Sequence, residues 1–421
     1  MINLTPLPRP LLIFTWLLFA TSCVPVVSTS PSQPDGPIQD ANFSDQIGNV
    51  QIGSLIQAKP VIPLGKNISL SFDLLRSDYQ YLYVKVIHCD FDWKKSILSD
   101  LEFLSQYNEF PIQQYVFSQN QYQPFVTYQI LLPAVTRSGN YIVALYEDET
   151  DKLLFTRRCT VFEQKVSSSV AIERSSHTPA RETDHQIEFD ISYHGLNVSN
   201  PNKDFKVVLL QNHCWDRAIR TLTPTSIRMD EQMLGYHHFN QENNFPGLNE
   251  FRFFDTRRLS FRGKNVNYMQ VSERGIDVFL QPEKPRSGTA YSQALEKDLN
   301  GNYVVENLDI NKQAIHSEYT WVNFTLESSP LPAELYIAGR FNNWSLEPAN
   351  QMTYNEEKKQ YEGSLLLKQG FYNYLYLTKG GSSPFYQVEE SHFQTKNEYE
   401  LIIYYREPGT VYDRVVGYRQ F

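Results

Sequence analysis

The chain lacks long apolar runs, basic clusters and the nucleotide-binding and nucleophile motifs that announce common enzymes. Each absence excludes something. No segment is long and apolar enough to span a bilayer as a helix. The formal net charge is −9, with no Lys/Arg cluster of note. That excludes nucleic acid as the expected partner, because neutralising phosphates needs a basic patch. No Gly-x-Ser-x-Gly, Walker loop or Gly-x-Gly-x-x-Gly occurs. Carboxylates are plentiful, but spacing picks out no catalytic pair. Missing motifs do not exclude an enzyme, but nothing in the residues argues for one, and no cofactor or small-molecule substrate is expected. Stretches with a 3.6-residue apolar period are scarce. What is abundant is aromatic: 27 Tyr and 26 Phe against 5 Met in 421 residues. Tyr, Phe, Val, Ile and Thr fit a pleated, half-buried surface, so the composition predicts an all-β protein.

The first residues, "MINLTPLPRPLLIFTWLLFATSC", place one Arg before an apolar run from Leu11 to Ala20. The run is too short to span a membrane and fits a secretory signal. Ala20-Thr21-Ser22-Cys23 resembles a bacterial lipobox, in which the Cys becomes the lipidated first residue. Residues 1–22 are thus expected to be a lipoprotein signal peptide and Cys23 the lipidation site. Residues 23–55 begin with a Pro-, Ser- and Asp-rich stretch of no regular period and are expected to be a flexible tether. Only Cys89, Cys159 and Cys214 then remain, so a disulfide scaffold is not implied. A Cys89–Cys159 bridge is the one pairing open within the first domain.

Beyond the tether, short strands and turn signals alternate. "NISLSFDLL" puts Ile68, Leu70 and Phe72 on one face, and Tyr81 to Trp93 alternates in the same way. Several such strands at short spacing predict β-sandwiches. The expected organisation is three tandem immunoglobulin-like, early-set units: 56–163, 164–310 and 311–421. Residues 94–110 are expected to be a helical insertion or an irregular loop. "DLNGNYVV" holds an Asn-Gly turn signal.

Three groups of residues invite a site. "IAGRFNNWSLEP" (337–348) resembles the sandwich that binds glycogen and starch, and Trp344 aligns with its first sugar-stacking Trp. The family's Lys is replaced in Tyr374-Leu375-Tyr376, and its second Trp is missing at Gly381-Ser382-Ser383. The resemblance thus covers the framework and not the ligand face, and fold alone does not carry function. A carbohydrate-binding outer-membrane lipoprotein of a glycan-uptake system is the alternative reading, with Trp344 as its platform. His88, Cys89, Asp90 and Asp92 invite a metal, but neighbours on a strand point to opposite faces, and paired Cys-x-x-Cys spacing is absent. No metal is expected. Finally, "NEFRFFDTRRLSFRGKNVNYMQ" (249–270) gathers arginines among aromatics in an acidic chain. Arg252, Phe253, Phe254, Arg257, Arg258, Phe261 and Arg262 are nominated as a partner-binding surface, since Arg and aromatic anchors dominate protein contacts.

Several stretches, taken in order, match one family. They are "IHCDFDW" (87–93), "QPFVTYQILLP" (123–133), "SGNYIVALYED" (138–148), "FTRRCTVFE" (155–163), "LQNHCWDRAI" (210–219), "FPGLNEFRFFD" (245–255), "DLNGNYVV" (298–305) and residues 336–376. The chain resembles the type IX secretion system plug protein family of Bacteroidota. The resemblance implies a non-enzymatic periplasmic β-protein that docks on the outer-membrane translocon barrel. There it closes the periplasmic opening when no cargo is engaged. With lipid on Cys23, the expected location is the inner leaflet of the outer membrane.

Overall fold

The computed structural model describes residues 36–53, 59–293, 298–310, 314–382 and 384–421. Cys23 and residues 1–35 lie outside them. The fold is all-β, as composition predicts, with five sheets and only single-turn helices among the described residues. One of these, Asp100–Phe103, is the helical part of the 94–110 insertion.

In the first sandwich, one sheet runs in the order Ala41–Asn42, Lys152–Phe162, Gly139–Glu147, Leu82–Cys89, Phe110–Pro111, with Val61–Pro63 parallel to Lys152–Phe162. The facing sheet runs Ile47–Gly53, Ile68–Leu74, Val126–Leu132, Gln114–Phe117. The predicted face of Ile68, Leu70 and Phe72 is fully buried against Val84, Val86, Val143 and Phe155. The strands Ala41–Asn42 and Ile47–Gly53 fall inside the expected tether. Ile47–Gly53 pairs antiparallel with Ile68–Leu74 and puts Ile47 and Ile52 into the first core.

In the second sandwich, Ser167–Arg174, Asp184–Ser192, Met233–Tyr236 and Ser226–Arg228 form one sheet, with Asn244–Pro246 beside Asp184–Ser192. Its opposing sheet is Phe205–Gln211, Tyr399–Tyr405, Arg414–Gln420. The third unit is a nine-stranded sheet. It runs from Arg252–Asp255 through Gly370–Lys379, Glu334–Ala338, Gln351–Asn355, Gln360–Lys368, Tyr319–Leu326 and Gly275–Leu280 to Val266–Ser272. Tyr303–Val305 lies beside Gly370–Lys379. The sheet folds over its own core, bringing the Phe254 ring within 5.8 Å of Phe324.

Strand pairing therefore crosses the expected boundary at 310/311 in both directions. Arg252–Asp255, Val266–Ser272, Gly275–Leu280 and Tyr303–Val305 pair within the third unit. The last two strands of the chain return to complete the second. Periodicity identifies a strand and its buried face, but not the sheet it joins.

The three sandwiches are packed into a single unit spanning 35–421. Ile87, Cys89, Ile142 and Ala144 of the first meet Val208, Leu210, Ile402 and Tyr404 of the second in a continuous apolar seam. Trp93 and Trp215 pack edge to face across it, with ring centroids 4.8 Å apart. The strand Leu82–Cys89 is thus covered on both faces, one by its own core and one by the neighbouring sandwich. Cys214 and Leu248 pack with Phe251, Ala338, Trp344, Leu375 and Leu377 in a second seam.

Candidate functional site

The nominated stretch 249–270 divides into a structural half and a presented half. Arg252 is only 8% exposed. Its guanidinium bonds Glu283 at 3.0 Å and Glu389 at 2.9 Å, above the Tyr376 ring. Arg286 reaches the same Glu389 at 2.6 Å. Burial pushes the Glu389 pKa up, and the two guanidiniums more than reverse it, leaving it below the usual carboxylate range. Phe254 is wholly in the core, and Phe253 stacks on Phe371 at 5.4 Å. Arg257 grips Asp255 through two hydrogen bonds of 3.0 and 2.7 Å. Arg252 and Phe254 therefore cannot belong to a partner surface. They alternate with the outward residues of a strand whose inner face builds the core. Arg258, Phe261 and Arg262 do face solvent: Phe261 is 57% exposed with the Arg258 guanidinium over its ring, and Arg262 donates to the Asn267 carbonyl.

Trp344 is 2% exposed, so it offers no platform for a sugar. The turn that carries it is built by its own side chains. Asn342 accepts from the Gly339 N–H and donates to the Ile337 carbonyl, while Asn343 and Trp344 both take left-handed backbone angles. This swings the indole inward, where Nε1 donates to the Asn212 carbonyl of the second sandwich at 3.1 Å. The Asn300-Gly301 turn fits over the ring, with positive φ at both residues. A Cβ on Gly301 would collide with Trp344. Tyr374, Leu375 and Tyr376, opposite, are also buried. The sugar-binding alternative thus loses its ligand face to a packing seam.

The "VIHCDFDW" segment is likewise distributed between two sides of its sheet. His88 lies against Phe103 and Tyr141 and bonds the Ser96 hydroxyl at 2.8 Å. Burial pulls its pKa down to about 4. Cys89 faces the opposite seam. Cys159 sits beside Tyr141 in the first core, so the sheet itself separates it from Cys89, and both thiols are free. Asp90 and Asp92 pair with Arg406 and Lys94. Among the described residues no group of three or more His, Cys, Asp or Glu is placed to hold a metal ion.

Composition and spacing gave no hint of the polar groups that join the first and third sandwiches. Asp73 and Lys368 are fully buried and bond at 2.7 Å. Tyr319 donates to the same carboxylate at 2.7 Å. Glu318 accepts from the Tyr122 and Gln123 N–H groups. The only sequence signal is a charge inside an apolar strand, as in "SLLLKQG" and "LLFTRRCTVF". The second of these supplies Arg157 and Arg158. They line a cleft where all three sandwiches meet, with adjoining lobes of about 460 and 590 Å³. Asp40, Val50, Arg157, Tyr303, Arg340 and Glu347 line both lobes.

No helix of the described chain is long and apolar enough to cross a membrane. Residues 45–163, the whole of the first sandwich after Ala41–Asn42, match the type 9 secretion system plug protein first domain. A crystal structure of a hypothetical protein from Parabacteroides merdae ATCC 43184 superposes with a TM-score of 0.86 at 30% identity, over 91% of this chain and 99% of that one. No curated protein matches the chain. The ordered motifs along the sequence and the match over its first sandwich agree: the chain belongs to the type IX secretion system plug protein family.

Proposed function

We propose that this protein is a non-enzymatic periplasmic plug. It binds the outer-membrane translocon barrel of type IX secretion and closes the barrel's periplasmic opening when no cargo is engaged. The observation that carries the reading is the match of residues 45–163 to the first domain of such plugs. The packing supports it. A stopper for a wide aqueous pore needs bulk that does not deform, and the apolar seams tie three sandwiches into one body. A stopper must also leave, which favours a moderate, partly polar contact. Arg258, Phe261 and Arg262 offer that composition at the surface. Lipid on Cys23, followed by the Pro- and Ser-rich stretch, would hold this body at the inner leaflet of the outer membrane beside the barrel.

The test is a pull-down. The protein is tagged at Phe421, native outer membrane is solubilised in mild detergent, and co-purifying proteins are identified. The barrel, enriched when cargo is absent, is the expected result. Glycan-uptake porins without the barrel would overturn the reading. Metabolic labelling with a fatty acid, lost in Cys23→Ser, checks the anchor.

A further inference from the structure

The cleft between the sandwiches contains a buried cation whose charge the protein does not pair. Arg157 is 6% exposed and lines both lobes. Its guanidinium donates to the Ala41 and Thr156 carbonyls at 3.0 and 2.8 Å and to the Asn42 side chain at 2.5 Å. These acceptors are neutral. Among the described residues no carboxylate lies within 4.0 Å of it, and Nε has no acceptor. Burial draws the Arg157 pKa below the ordinary guanidinium value, with Asp40 only partly opposing. Buried charges are ordinarily paired, and elsewhere in this molecule they are: Lys368 with Asp73, and Arg252 with Glu389 and Glu283. Arg157 departs from that pattern where the surface opens into a cavity. Arg158, the next residue, is equally buried, and Asp40 and Asp216 approach it only at 3.9 and 4.0 Å.

We infer that this cleft is a binding site for a carboxylate-bearing polypeptide segment, with Arg157 as the group that receives the carboxylate. The free Nε edge suits a planar carboxylate. The rest of the lining argues for a peptide over a phosphate. Asp40 and Glu347 face the same space as Arg157 and Arg340. Fixed carboxylates repel a dianion, but they accept the N–H groups that an extended backbone brings. Because Asp40 and Arg157 come from the first sandwich, Arg340 and Glu347 from the third and Asp216 from the second, a segment lying there touches all three.

The test uses purified protein without any barrel, so its outcome is independent of the plug reading. Three probes are titrated calorimetrically at low salt: a short peptide of alternating Gly and Glu, the same peptide with Gln for Glu, and inorganic phosphate. Saturable binding of the Glu peptide alone is expected. Arg157→Gln should weaken it at least about tenfold, the scale of losing a charge-assisted hydrogen bond. Glu347, exposed at the rim, gives a second variant that leaves the core untouched. Glu347→Gln should tighten the Glu peptide several-fold by removing a like charge. No binding of the Glu peptide, equal binding of the Gln peptide, or an affinity unmoved by Glu347→Gln would each overturn the inference. Phosphate binding without peptide binding would overturn it too, leaving a simple anion site.

Discussion

At the scale of residues, Glu400 is a carboxylate that its neighbours hold ionised in the protein interior. Burial alone would raise its pKa, but His213 at 2.6 Å and the Tyr418 hydroxyl at 2.7 Å bring it down to about 2. The unfolded chain binds this proton near the ordinary Glu value, so between about pH 4.5 and 2 the unfolded state holds more protons than the folded one. Stability from this group is present above that window and is lost as pH falls through it, to the extent of roughly 3 kcal/mol. Urea unfolding measured across this range should show the decline, and His213→Gln should flatten it. Trp344→Ala removes a buried indole and its hydrogen bond to Asn212. A loss of about 3–5 kcal/mol in the same assay is expected, with no change in glycan binding. Replacing Lys368 by Met strands Asp73 in the interior with only hydroxyl donors, from Tyr319 and Thr127. That should cost about 3–5 kcal/mol, because an uncompensated buried charge remains. A stability unchanged in Lys368→Met would mean that Asp73 finds water in solution.

At the scale of elements, the chain's last two strands matter most. Tyr399–Tyr405 and Arg414–Gln420 supply Leu401, Ile403 and Val416 to the core of the second sandwich, whose other strands come from 167–246. The first sandwich fills its core from residues 47–161. A fragment of 36–163 should therefore unfold cooperatively by circular dichroism, whereas 164–310 should not fold alone. Cooperative unfolding of 164–310 would refute the account of the returning strands. Some strands were legible: alternation located Ile68–Leu74 and Leu82–Cys89, because successive side chains of a strand point to opposite faces and repeat every two residues. Ile47–Gly53 was not, since the irregularity between Gly48 and Gln51 sets Ile47, Val50 and Ile52 off a strict two-residue repeat. The nominated surface shows where composition stops. Composition collected the arginines and aromatics of 252–262 but could not say that Arg252 turns inward to Glu389, which lies far along the chain.

At the scale of the whole molecule, the seams make one body from three sandwiches. The apolar seam at Trp93 and Trp215 and the buried Asp73–Lys368 pair act between different sandwiches. Solution scattering should therefore fit a single rigid envelope for residues 36–421. A distribution needing hinged sandwiches would contradict this packing. The docking proposed above, by contrast, would belong to the surface. Arg258→Glu with Arg262→Glu should reduce recovery of the barrel in the pull-down while leaving urea stability within about 0.5 kcal/mol, as is usual for surface substitutions. Undiminished recovery would move the docking face elsewhere.

The sequence by itself determined the all-β class, the strand faces and, through the order of its motifs, the family. Those properties rest on local alternation and on residues a short segment carries within itself. Only the tertiary structure decided that Trp344 is a packing residue and not a sugar platform, that Cys89 and Cys159 lie on opposite sides of one sheet, and that Arg157 stands unpaired in a cleft. Each depends on which distant strand lies alongside, and a pairing between residues far apart in the chain leaves no periodic trace in it.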